Sequence, residues 1–196
     1  MPKIEIPAWT EGSGGANALF GEGNGPYAEV SVGDVAGLDQ FGVRLERLPP
    51  GSRSSYRHWH ETEDEFVFVL SGEVMLVEDT ETLLRAGEAA GWRAGAPVAH
   101  CLENRSAEDA TILVVGTRAR SGAVHYLDHD LVLHHDETSS SAPSTQCTAV
   151  QPALSAASTL ALVSSTRRMS CGAAPLIFSA ASKKARSGFR AAIPAE

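Results

Sequence analysis

No stretch of this 196-residue sequence is apolar for long enough to cross a membrane. A spanning helix needs roughly 18 to 20 consecutive apolar residues, and the nearest approach, Ala149 to Val163, is shorter and broken by Gln151, Pro152 and several Ser and Thr. The opening, Met1-Pro2-Lys3-Ile4-Glu5-Ile6-Pro7, lacks the apolar core of a signal peptide. Cysteine is scarce: Cys101, Cys147 and Cys171 form an odd set with no readable disulfide framework, which fits a reducing compartment. These absences predict a soluble, cytoplasmic protein without a membrane partner. Basic side chains are also scarce in residues 1–138, with ten Lys and Arg against 23 Asp and Glu, a net charge of −13. Residues 139–196 carry six against one, net +5, which brings the chain to −8. An acidic body repels phosphate backbones, so nucleic acid is excluded as a partner, while cations are favoured.

Helical periodicity is missing too, at any convincing length, before residue 135. Present instead are short extended runs separated by Gly, Pro and Asp: Tyr27–Val32, Phe41–Leu48, Ser54–His60, Glu65–Leu70, Val74–Glu78, Thr82–Leu84, Val98–Glu103 and Thr111–Val115. Such spacing predicts an all-β sandwich or barrel. Residues 1–26, rich in glycine and without a period, read as an N-terminal arm draped over a domain at 27–136. Residues 137–196 turn to Ser, Ala and Thr and are expected to be largely disordered, with a short helix allowed near Leu154–Ser164. The abrupt shift in composition also raises the hypothesis of a frameshifted tail, which the intact mass of the natural protein tests.

One stretch carries chemistry. His58 and His60 stand two apart in an extended segment, so a strand aims both imidazoles at one face. After the turn Glu61-Thr62-Glu63-Asp64, Glu65 opens the next apolar run and is the natural third ligand. His100, from a distant run, supplies a third imidazole, and three His with one carboxylate leave a six-coordinate ion two open positions. The same alternation puts Ser54 and Tyr56 beside His58 and His60, making Tyr56 a pocket candidate able to hydrogen-bond a metal-held ligand. It places Val98, Leu102 and Asn104 with His100 and sends Cys101 to the opposite face. On Phe41–Leu48, Phe41, Val43 and Leu45 are expected to face the core, and Arg44 and Glu46 to face solvent or a dimer seam. Glu63 and Asp64 read as a solvated acidic turn. Arg93 reads as a surface cation that would attract an anionic substrate. His125, His129, His134 and His135 suggest a second metal site, but adjacent strand residues point to opposite faces, so the plain structural reading is preferred.

The pattern Gly51, His58-x-His60, Glu65, Gly72, then Gly87, Gly95, His100 and Asn104, closely resembles the two signature motifs of the cupins. It departs in a gap from Gly51 to His58 one residue longer than usual and in Arg93 at a common proline position, neither of them a ligand position. The flanks, over residues 25 to 135, are similar to small bacterial single-domain cupins of unassigned reaction. The resemblance implies an antiparallel jelly-roll barrel, homodimers and a divalent transition metal. Fe, Mn, Ni, Co, Cu and Zn all suit the donor set, whereas Ca and Mg prefer oxygen. It implies an enzyme of the dioxygenase, decarboxylase or isomerase class acting on a small oxygen-chelating molecule, with Glu65 and Tyr56 as its catalytic candidates. The alternative reading is a metabolite-binding sensor without catalysis.

Overall fold

The computed structural model describes residues 3–16, 19–136 and 148–150. Among the described residues there are thirteen short strands: β1 (Thr10–Gly12), β2 (Tyr27–Val30), β3 (Phe41–Leu48), β4 (Trp59–His60), β5 (Glu65–Ser71), β6 (Glu73–Val77), β7 (Glu81–Arg85), β8 (Ala89–Trp92), β9 (Cys101–Glu103), β10 (Ala110–Thr117), β11 (Ser121–Tyr126), β12 (Leu131–Asp136) and β13 (Thr148–Val150). Helix among the described residues is confined to α1 (Val32–Val35) and a 3-10 turn at Leu127–His129. None is long and apolar enough to cross a membrane.

Every strand pairing is antiparallel. One layer is a six-stranded sheet in the order β1-β2-β3-β10-β5-β8. The other is built from β7-β6-β9 and β4-β11-β12-β13, joined where residues 51–58 run antiparallel to 100–104. Gly51 and Ser54 donate to the carbonyls of Asn104 and Leu102, and His58 and His100 exchange both of their main-chain bonds. Two β layers packed face to face make the jelly roll expected from the sequence.

The period of two explains the core. Leu48, Val67, Val69, Ala110, Ile112 and Val114 point inward from the six-stranded sheet and meet Val74, Leu76, Leu84 and Leu102 from the other layer. A second cluster, Tyr56, Val124, Tyr126, Leu131 and Leu133, is covered by Phe20. Fully burying each such aliphatic side chain contributes about 1.5–3 kcal/mol, so these rows fix which face of each strand is inside.

Three expectations change here. The inner face of β3 carries Gly42, Arg44, Glu46 and Leu48, not Phe41, Val43 and Leu45. The register explains it: Arg44 and Glu46 lie opposite Val114 and Ile112 of β10, whose side chains are core. Residues 54–57 bend instead of forming a strand, so alternation counted back from His58 does not hold for Tyr56. The N-terminal arm is partly built in, since β1 extends the sheet against β2 and Phe20 caps the second cluster. Of the tail, β13 pairs with β12; the remaining expectations for 137–196, including the helix near Leu154, lie outside the described residues. The β5–β6 turn uses Gly72 at φ +72°, where an added Cβ would stand 2.7 Å from the Asp109 carbonyl oxygen, which only glycine accommodates.

Candidate metal centre

The bridge between His58 and His100 sets two imidazoles side by side on one layer, with ring centroids 5.2 Å apart. Glu65 comes from the facing layer, where β5 begins between Gly116 of β10 and Trp92 of β8. Its Oε2 lies 3.9, 3.4 and 3.3 Å from Nε2 of His58, His60 and His100. His58 and His60 bring their Nε2 atoms within 3.1 Å of each other. One ligand atom each from His58, Glu65 and His100 falls within 4.8 Å of the others, the one such grouping among the described residues. Ligands at about 2.1 Å from an ion, at right angles, stand about 3 Å apart, so the spacing suits a single small cation.

The tautomers follow from the outer hydrogen bonds. His58 Nδ1 donates to the Tyr56 carbonyl at 2.8 Å, with Ser55 Oγ at 3.1 Å, and His100 Nδ1 donates to the Val98 carbonyl at 3.0 Å. A carbonyl only accepts, so each Nδ1 carries a proton, and each Nε2 is turned toward Glu65. His60 Nδ1 faces Glu63 Oε2 at 3.4 Å. Ring packing fixes the orientations: Trp92 stacks on His100 at 3.5 Å, and Tyr126 on His58 at 5.5 Å. Trp92 is in turn held by Nε1 donating to Glu78 at 2.7 Å.

All four candidate ligands are buried, between 2% and 7% exposed. Burial pushes the His58 imidazolium down to about 3, despite Glu65, so this ring is neutral. Burial acts in the same sense on His60, but the hydrogen bonds its ring donates to Glu63 and Glu65 outweigh it and raise the ring to about 9. Burial would raise Glu65, yet hydrogen bonds from His100 and His60 hold it well below the usual carboxylate range. The cluster therefore gathers three inward Nε2 atoms and a carboxylate around the imidazolium proton of His60. Replacing that proton with a metal ion satisfies every group.

The four candidate ligands are thus together, while Tyr56 stands apart. Its ring stacks on Phe20 at 4.2 Å and its hydroxyl donates to the Glu22 carbonyl, while its own carbonyl receives the His58 Nδ1 proton. Val98, expected inward, is 43% exposed. Cys101, expected on the far face, also borders the cavity; burial pushes its thiol up to about 12, which keeps it protonated. Asn104 is wholly buried and structural, donating to the carbonyls of Leu48 and Glu108 at 2.7 Å.

Glu63 is the clearest correction. It is 6% exposed, and its other oxygen accepts from the Ala119 amide at 2.9 Å, so it belongs to the site rather than to a solvated turn. Its position three after His60 is the signal that could have revealed it. Trp92 and Glu46 were also missed. Between the layers, Glu46, Ser54, Trp92 and Ile112 join three of the candidate ligands around a cavity of about 10 Å³. Among the other histidines, His125 stacks on Trp59 at 4.1 Å and pairs with Glu61 at 2.7 Å, a surface arrangement.

Residues 44–116 match the Cupin domain family. A cupin-superfamily sugar phosphate isomerase from Silicibacter pomeroyi is 43% identical over 57% of this chain and 71% of its own, with a TM-score of 0.56. With that relative and the jelly roll in place, the chain belongs to the cupin superfamily. A proposed sugar phosphate isomerase from Acidithiobacillus ferrooxidans is 28% identical over 64% of this chain and 76% of its own, with a TM-score of 0.59. No curated protein matches the chain.

Proposed function

We propose that His58, His60, Glu65 and His100 hold one divalent transition-metal ion, and that the protein is an isomerase acting on a small, sugar-like, oxygen-chelating molecule. The observation that carries the metal reading is the convergence of three imidazole Nε2 atoms on one oxygen of Glu65. The isomerase class is supported by what the 43% identical relative is described as. An ion in this position supplies positive charge that polarises a carbonyl oxygen and makes the neighbouring C–H bond more acidic. The protein's part is orientation and proton handling. Tyr126 and Trp92 hold the His58 and His100 rings, and Glu65, once displaced from an ion, is a base within the site.

A phosphorylated substrate also needs a cation at the rim. Arg93 is exposed, directly after Trp92, in a turn whose Gly95 amide donates to the His60 carbonyl at 2.9 Å. A cation following Trp92 at the edge of the site would suit an anionic group of the substrate.

The test is metal analysis of protein purified without a tag, followed by NMR of aldose and ketose phosphates incubated with the loaded protein. One equivalent of a transition metal with interconversion of the sugars is expected. Metal with tight sugar binding and no turnover would favour the sensor reading, and a wild-type protein that takes up no metal overturns the proposal.

A further inference from the structure

Glu46 is a buried acid with one carboxyl oxygen left unmet. It sits on the inner face of β3, 4% exposed, and borders the cavity shared with His58, Glu65 and His100. Its Oε2 has no hydrogen-bond partner among the described residues. The neighbouring cation is already engaged, because Arg44 pairs with Glu29 at 2.8 Å. A buried polar oxygen is stable only when something meets it, and the cavity of about 10 Å³ before it has the size of one water. Glu46 thus looks across a water-sized space toward the candidate ligands.

The surrounding charges decide its state. Arg44, Glu29 and Tyr27 flank it and Glu65 lies on the same inner face, two strands away on β5, while His58, His100 and Cys101 close the cavity from the other layer. Burial, with Glu29 and Glu65 adding to it and Arg44 opposing, pushes the carboxyl up to about 8. It carries a proton at neutral pH.

We propose that Glu46 is a second working carboxyl of this site, which donates through one buried water to an oxygen atom of the ligand held by His58, His60, Glu65 and His100. This rests on the metal reading above. In the donating step the Glu46 O–H bond breaks as a new O–H bond forms on the water, and the water passes one of its own protons to the ligand oxygen. No oxidation state changes, and the carboxylate left behind lies next to Arg44. The ligand class is a small hydroxy-carbonyl compound, in which an oxygen gains a proton as a carbonyl shifts to its neighbour.

The test uses cobalt(II)-loaded wild type, Glu46→Gln and Glu46→Leu, with acetohydroxamate as a two-oxygen probe. All three should hold one cobalt, because Glu46 is not a ligand. At pH 7 the infrared difference between wild type and Glu46→Gln should show the C=O band of a neutral carboxylic acid, and that band should shift when acetohydroxamate binds. Glutamine keeps a donor and should hold the probe within about twofold of wild type, while leucine should weaken it about tenfold, the worth of one hydrogen bond. A carboxylate band, an acid band unmoved by the probe, or equal probe affinity in all three overturns the role of Glu46 while cobalt stays bound. A wild type that binds no cobalt overturns the metal reading and this inference together.

Discussion

At the scale of single residues, His60 and Glu46 make opposite use of burial. His60 lies between two carboxylates that raise it to about 9, so without metal it is an imidazolium at neutral pH. An ion entering the site must displace that proton. Apparent metal affinity should therefore rise about tenfold per pH unit from neutrality up to about pH 9, with close to one proton released per ion. Calorimetry in buffers of different ionisation enthalpy measures the count, and zero protons released at pH 7.5 would contradict the charge state. An unperturbed histidine would lose metal near its ordinary range of about 6.5; Glu63 and Glu65 beside His60 move that range upward. Substituting the ligands separates their roles: His60→Ala or His100→Ala should lose most of the metal, Glu65→Gln should weaken it, and replacing Cys101 should leave it bound, as read by metal analysis at pH 7.5. Glu46 gains its proton from folding. Unfolded, it ionises near 4.5, and folded near 8, so the folded state binds more protons between those values. Its contribution is complete below about pH 4.5 and is lost as pH rises toward 8. Wild type should lose stability relative to Glu46→Gln across that window in urea titrations, and a constant difference would show that the carboxyl is not held neutral.

At the scale of elements, legibility follows how local the determining contact is. Strand β3 is found in the sequence with both its ends, because its alternation is unbroken over eight residues. Its facing is not legible, since three apolar residues alternating with Arg44 and Glu46 name the core face only when burial decides it, and here β10 decides it through register. Strand β8, Ala89-Ala90-Gly91-Trp92, has almost no intrinsic strand preference and exists because it pairs with β5, yet it delivers the ring that clamps His100. The four candidate ligands are legible as a cluster because each sits at or next to a regular strand. Tyr56 was misplaced because the chain bends at 54–57. The β5–β6 turn tests how rigid the frame is. At Gly72 a side chain would need a left-handed backbone and would clash with Asp109, so Gly72→Ala should cost roughly 1–3 kcal/mol. Chemical denaturation reads this, and an unchanged midpoint would mean that the turn relaxes freely.

At the scale of the whole molecule, turning Arg44 and Glu46 inward leaves an apolar exterior on the same sheet. The register aligns Val43, Val115 and Phe66 in one outer row and Leu45, Leu113 and Phe68 in the next. Phe66 is 42% exposed, with Phe41 at 40% and Leu70 at 45% around the same face. We propose that this face, on an otherwise acidic protein, is an association surface. A second copy is the simplest occupant, because a two-fold axis lets the patch cover itself and keeps the acidic surfaces apart. Sedimentation at micromolar concentration should then report a dimer for wild type. Phe66→Glu places a charge in the middle of the patch without touching the inner face of β5, where Val67 and Val69 form the core. It should give monomers with an unchanged far-UV spectrum and undiminished metal content, since Glu65 faces the other way. A monomeric wild type, or a Phe66→Glu variant that remains dimeric, would place the association surface elsewhere or remove it.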